Sequence, residues 1–245
     1  MKLTFLGVGD AFDEKHINTS ILLNANNQNI LLDCGYSVPH SLWKHNPNSD
    51  FLDAIWISHQ HADHLFGLPS ILARMYHDQR KKPLYVFSWK GMKEKIVEVI
   101  ELAYPGVLEK IKSSFELKII EIEQNFTFAR LYFSIAETVH LVTNYAIKIE
   151  DEESETSICY SGDGMFIDET KELYSGCDLV IHETFTLDKD VHGHGNIKEI
   201  ASVMDELKIG KVVAVHMKKN LRENEEKVLS YIESTKKNIL LPKEG

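Results

Sequence analysis

The stretch Asp53-Ala54-Ile55-Trp56-Ile57-Ser58-His59-Gln60-His61-Ala62-Asp63-His64 sets a run of apolar residues directly in front of three histidines and an aspartate. Asp53 to Ser58 reads as a strand covered on both faces, because its centre shows no alternation of polar and apolar residues. His59 and His61, spaced i, i+2, can project from one extended turn. Asp63 and His64 open the next helix and can face a second centre. Imidazole and carboxylate groups together suit zinc first, with manganese or iron as alternatives. A single histidine is usually a surface or core residue. Three in six positions, with an aspartate among them, would each need a buried partner if they were only packed. The segment therefore reads as a metal site.

Outward from this stretch, short apolar runs alternate with helical patterns. Strands are expected at Leu3–Val8, Ser20–Leu23 and Ile30–Asp33, punctuated by Gly7, Gly9 and Asn26-Asn27. Beyond the histidines the pattern predicts a helix over Leu68–His77, a strand over Leu84–Ser88 and a helix over Met92–Leu102. Further strands are expected at Leu117–Ile122, Phe126–Ile135, Tyr145–Ile149, Ile158–Tyr160, Leu179–Ile181 and Lys211–Val215, with helices over Asn196–Leu207 and Asn224–Ser234. The acidic run from Glu150 to Glu155 reads as a solvated hairpin tip. Strand meanders followed by strands alternating with helices suggest two sheets with helices outside. Trp43, Trp56 and Trp89 are expected in or near the core, and Met75 and Tyr76 on a helix's buried face.

Four groups are too few for two metals, and the chain offers more at matching places. His140 follows the strand around Phe133, Asp163 follows Ile158–Tyr160, and His216 follows Val212–Val215. Each lies at the carboxyl end of an expected strand, the edge where α/β proteins assemble their sites.

A chain of 245 residues with 43% apolar and 26% charged residues fits one compact soluble domain, 1–245, with room for two similar halves. With 27 basic and 37 acidic residues, the formal charge of −10 argues against unspecific nucleic-acid binding, which needs a basic face. Cys34, Cys159 and Cys177 are odd in number and widely spaced, so a disulfide framework is not expected and a reducing, cytoplasmic setting is. No stretch has the length of a membrane span or the pattern of a secretory signal, so no membrane partner is expected.

His59-Gln60-His61-Ala62-Asp63-His64, continued by Leu65-Phe66-Gly67-Leu68-Pro69, resembles the metal motif of the metallo-β-lactamase superfamily. Leu3-Thr4-Phe5-Leu6-Gly7, Asn18-Thr19-Ser20, Asp33-Cys34-Gly35 and His140 with Asn144-Tyr145 resemble its phosphodiesterase branch, which includes tRNase Z. The resemblance runs from Met1 to about Lys219. It implies an α/β fold, the metallo-β-lactamase αββα sandwich, with two packed mixed sheets and helices on the outer faces. It also implies two divalent metal ions, most often zinc: one held by His59, His61 and His140, the other by Asp63, His64 and His216, with Asp163 bridging. Asp33 resembles the aspartate that orients a ligand from behind. True β-lactamases of this fold usually carry cysteine where Asp163 stands, and oxygen-reducing members glutamate where His61 stands. His182-Glu183-Thr184-Phe185 and Gly193-His194-Gly195-Asn196 resemble two further tRNase Z segments. They point to His194, or the competing His192, as the acid that protonates a leaving alkoxide, with Glu183 orienting it.

The likeness has gaps. Only 22 residues, 141 to 162, lie between His140 and Asp163, where tRNase Z enzymes of the long-armed kind insert a tRNA-gripping arm. Tyr36-Ser37-Val38-Pro39-His40 also replaces their usual Gln-containing continuation after Asp33-Cys34-Gly35. The expected substrate is therefore a small phosphodiester, a cyclic nucleotide or another cyclic phosphate, attacked by a hydroxide shared between two metals with Asp63 accepting a hydrogen bond from it. A nucleic-acid substrate is the weaker expectation. Alternatives are a lactonase or thioesterase on the same ligands, a tRNA 3′-end endonuclease, and a non-catalytic metal-stabilised binding protein. Relatives in this branch are often homodimers, and a homodimer is expected.

Overall fold

The computed structural model describes residues 1–245, and the chain falls into two compact units. The first comprises Met1–Gly7, Ile17–Glu123 and Gly245, the second Val8–His16 and Gln124–Glu244.

The first unit contains β1 (Lys2–Gly7), β2 (Ser20–Ala25), β3 (Gln28–Leu32), α1 (Val38–His45), β4 (Ala54–Ile57), α2 (Ala62–Leu65), α3 (Leu68–His77), β5 (Leu84–Trp89), α4 (Lys93–Ala103), α5 (Val107–Lys112) and β6 (Leu117–Ile122). Its six strands lie in sequence order in one mixed sheet. β1 to β3 form an antiparallel meander, and from β3 onward neighbours run parallel. The β2–β3 turn is Asn26-Asn27, both at positive φ (48° and 59°), the conformation a two-residue hairpin requires and asparagine tolerates. All four residues of β4 are buried, which is why its apolar run is uninterrupted.

The second unit contains β7 (Phe126–Phe128), β8 (Leu131–Thr138), β9 (Asn144–Asp151), β10 (Thr156–Tyr160), α6 (Asp168–Tyr174), β11 (Leu179–Glu183), α7 (Ile197–Val203), β12 (Val212–Val215), α8 (Lys219–Arg222), α9 (Glu225–Thr235) and β13 (Ile239–Leu240). Its sheet has the order β13-β12-β11-β10-β9-β8-β7. It repeats the same plan, an antiparallel meander from β7 to β10 and parallel neighbours from β10 to β13. β12 is wholly buried, and its core is shared with Ile197, Ile200, Val228 and Ile232 of α7 and α9.

Phe126–Ile135 is not one strand but two. Ala129 and Arg130, at φ 50° and 64°, turn the chain back so that Phe128 pairs with Leu131. Neither residue is a usual occupant of such a turn, so the sequence carries no turn signal there. The acidic run does cap a hairpin: Asp151 pairs with Thr156, and Glu152, Glu153 and Glu155 are exposed between them. Trp43, Trp56 and Trp89 are buried, as is Met75, while Tyr76 is half-buried. The three cysteines are free and buried, with the sulfurs of Cys159 and Cys177 only 2.8 Å apart. No helix is long and apolar enough to cross a membrane.

Candidate metal centre

In the first unit the ligand candidates stand at the carboxyl end of β4, and a single buried carboxylate organises them. Asp33 follows β3, has no exposed surface and sits at φ 59°, a backbone conformation that aspartate tolerates better than most residues. Its Oδ1 accepts the Ser58 backbone N–H at 2.7 Å; its Oδ2 accepts the Ser58 hydroxyl at 2.7 Å and His64 Nδ1–H at 2.7 Å. Because the Ser58 proton is committed to Asp33, Ser58 Oγ accepts from His59 Nδ1 at 3.0 Å. Both histidines therefore turn a bare Nε2 outward, the state a cation requires. His61 Nδ1 lies 3.1 Å from His59 Nε2, and Asp63 Oδ2 lies 3.2 Å from His64 Nε2. Nitrogen and carboxylate donors converging at these distances fit a divalent cation.

Close backbone approach makes this possible. Cys34 N–H donates to His64 O at 2.8 Å, and a Cβ on Gly35 would lie 1.9 Å from Asp63 O. Only glycine lets the 33–35 segment reach the motif.

The second unit holds the remaining candidates. His140 donates from Nδ1 to Gly193 O at 2.6 Å, leaving Nε2 as donor atom 3.8 Å from Asp163 Oδ2. His216 follows β12 at φ 54°, with Nε2 3.6 Å from Asp163 Oδ1. One carboxylate thus faces a different imidazole with each oxygen. Asp163 is held through its backbone: Thr138 Oγ1 donates to its carbonyl at 2.9 Å, Asn144 Nδ2 donates to the same oxygen, and Asn144 Oδ1 accepts its N–H at 3.3 Å.

Glu183 ends β11 with no exposed surface. Its Oε2 accepts the N–H groups of Gly164 at 2.6 Å and Gly195 at 3.3 Å, while Oε1 accepts His194 Nδ1. Burial and the nearby Asp163 charge push the Glu183 carboxyl up, against the pull of His194 and His216. His194 is half-buried, stacked on Phe185 with ring centroids 4.3 Å apart and edge-on to His140 at 5.1 Å. Burial works against its imidazolium, but the hydrogen bond and charge of Glu183 hold its pKa above the ordinary histidine value. His192 is exposed. His182 is buried against Phe166 and Tyr174 and donates to the Glu183 carbonyl, so it supports β11 from within.

A model of the Anti-Pycsar protein Apyc1 family matches residues 1–237. The chain belongs to that family. The Apyc1 protein of Paenibacillus sp. strain J14 is 27% identical over 220 residues, covering 84% of this chain and 85% of its own length. Ribonuclease Z of Pediococcus pentosaceus is 29% identical over 180 residues, covering 71% of this chain but 54% of the relative, so the chain spans about half the length of that enzyme. The structure of YhfI, a metallo-β-lactamase fold protein of Bacillus subtilis, superposes with a TM-score of 0.77 at 23% identity, covering 99% of this chain and 96% of its own. Short-form human tRNase Z gives 0.74 at 22%, with coverages of 89% and 93%. The fold is thus the metallo-β-lactamase fold expected from the histidine motif, with two mixed sheets and helices. The Apyc1-family chain has hydrolases among its relatives, the class its motif suggested.

Ser58, Asn144, Thr138 and the Gly193 carbonyl were not legible as site residues. Each acts through a hydrogen bond made across the fold, and a serine or asparagine alone carries no spacing signal.

Proposed function

We propose that the chain is a two-metal phosphodiesterase acting on a small phosphodiester of the cyclic-nucleotide or cyclic-phosphate class. In this reading the two units act as one catalytic domain. His59, His61 and His140 would hold one cation and Asp63, His64 and His216 the other, with Asp163 a ligand to both. The cations, zinc or alternatively manganese or iron, would supply Lewis-acid chemistry there, making water nucleophilic at neutral pH and offsetting phosphoryl charge. Asp33 orients His64 directly and His59 through Ser58, and Asp63 would accept a hydrogen bond from the attacking water. A homodimer in the cytoplasm belongs to the same proposal.

The observation that carries the reading is the Glu183–His194 pair. A buried carboxylate holds the imidazole through Nδ1 and favours its protonated form, so that Nε2 is the nitrogen left to serve a departing oxygen. An alkoxide leaving group needs such a proton donor; a lactone or thioester depends on it less. The 29% identity to a ribonuclease Z favours RNA as a second reading. Against it, β9 and β10 fill most of residues 141–162, where a long arm would insert.

The test is hydrolysis of bis(p-nitrophenyl) phosphate by metal-loaded protein, with His61→Ala as blank. Turnover by the unaltered protein alone, with metal lost from the variant, is expected. No turnover from protein shown to hold two metals would move the assignment to lactones and thioesters, to be tried next beside cyclic nucleotides and precursor tRNA.

A further inference from the structure

Two thiols that the proposed hydrolysis does not use meet inside the second unit. Cys159 lies on β10 and Cys177 in the connection between α6 and β11, 18 positions further on, yet their sulfurs are 2.8 Å apart. That is closer than two unbonded sulfurs ordinarily pack. A disulfide holds its sulfurs about 2.05 Å apart, so closure asks for less than about 1 Å of movement. Both S–H groups have the same acceptor, the Leu173 carbonyl at 3.6 Å from each sulfur, so the sulfurs can meet with no proton between them.

The strand register adds a charge and a hydroxyl to the pair. Lys148 of β9 stands directly opposite Cys159, and Ser157 lies two residues before it, so the three side chains share one face of the sheet. The hydrogen bond from Cys159, the Lys148 charge and the Ser157 hydroxyl hold the Cys177 thiol below its ordinary value, against burial. Burial instead pushes the Cys159 thiol well up. Cys177 is therefore the better nucleophile of the two, since the thiolate is the reactive form. It has no exposed surface, but its neighbours Gly176 and Asp178 are exposed. Together with Lys148 and Ser157 these two line a cleft of about 440 Å³. A Cβ on Gly176 would meet nothing within 4 Å, so a small molecule can come within one residue of the sulfur.

We propose that Cys159 and Cys177 are a redox-active pair, which a peroxide closes into an intramolecular disulfide and a small thiol reopens, tightening the second unit under oxidising conditions. The Cys177 sulfur attacks one oxygen of hydrogen peroxide, the O–O bond breaks, and the departing oxygen leaves as water with the Cys177 proton. The Cys159 sulfur then attacks the sulfenic acid so formed. The S–S bond closes, and the hydroxyl leaves as a second water with the Cys159 proton. Two thiols are oxidised and one peroxide is reduced. Two molecules of a small thiol reverse the change by exchange and leave as their own disulfide. None of this depends on which substrate the metal centre takes.

The experiment treats zinc-loaded protein with hydrogen peroxide, zinc having no redox chemistry of its own. Remaining thiols are alkylated in denaturant, and a tryptic digest is weighed without reduction. Lys171 separates the two cysteines, so peptides 149–171 and 172–189 should appear joined, lighter than their sum by two hydrogens. The three free thiols should fall to one, Cys34 of the first unit, and dithiothreitol should restore all three. The urea midpoint should rise in the oxidised protein, because the bond shortens the unfolded chain's reach, and Cys177→Ala should show neither the joined peptides nor the rise. Three thiols surviving peroxide overturn the proposal, as do oxygen atoms added to either cysteine without joining. So do a bond that forms only in urea or between two molecules, and a midpoint that fails to rise.

Discussion

At the residue scale, Asp33 and Glu183 play the same part in the two units. Each is a buried carboxylate that fixes an imidazole through Nδ1 and leaves Nε2 outward. The histidines between 59 and 64 stand out as candidates because their density has no packing explanation, His140 and His216 because each follows a strand, and His194 through its resemblance to a tRNase Z segment. Their tautomers were not legible, since these depend on Ser58, Asp33 and the Gly193 carbonyl, which meet the histidines only in the folded chain. A residue-scale prediction follows from the Glu183–His194 hydrogen bond. His194→Ala should keep its metal, measured by elemental analysis, while kcat falls by about 10²–10⁴-fold. The loss should grow as the leaving group becomes more basic. Equal turnover across a leaving-group series would show that His194 is not the acid.

At the scale of elements, the site depends on how closely loops can approach strand ends. The Asp33-Cys34-Gly35 segment touches the motif through Gly35, where a side chain would collide with the Asp63 carbonyl. That collision is with backbone and has no flexible atom to yield. Gly35→Ala is expected to destabilise the protein by about 1–3 kcal/mol and to lower its metal content, since Asp63 and His64 lie on the displaced loop. Urea unfolding and metal analysis of the variant check both; full metal occupancy with unchanged stability would mean the loop relaxes without cost. Hairpins divide along the same line. Asn26-Asn27 announces its turn by residue type, whereas Ala129-Arg130 takes the same positive-φ geometry with no such sign.

At the scale of the whole molecule, pH acts on stability through His182. Burial pushes its pKa down to about 4 from 6.5, against the Glu183 carbonyl and the Asp163 charge, which act to raise it. The folded state therefore binds fewer protons than the unfolded chain between those values. Its contribution is fully present above pH 6.5 and is lost as the pH falls toward 4, about 3 kcal/mol in all. His182→Gln, which keeps a donor for the Glu183 carbonyl, should lose less stability than the unaltered protein between pH 7 and pH 4.5. Parallel falls of the two urea midpoints would sink the assignment.

The sequence by itself determined the fold class, two sheets with helices outside, and the list of candidate ligands. Periodicity and residue chemistry are local properties, and a cluster such as His59–His64 carries its meaning within six positions. Only the tertiary structure decided which nitrogen each of His59, His64, His140 and His194 turns outward, and that Asp163 shows one oxygen to His140 and the other to His216. Those facts depend on hydrogen bonds and steric limits between residues tens of positions apart, which no local pattern records.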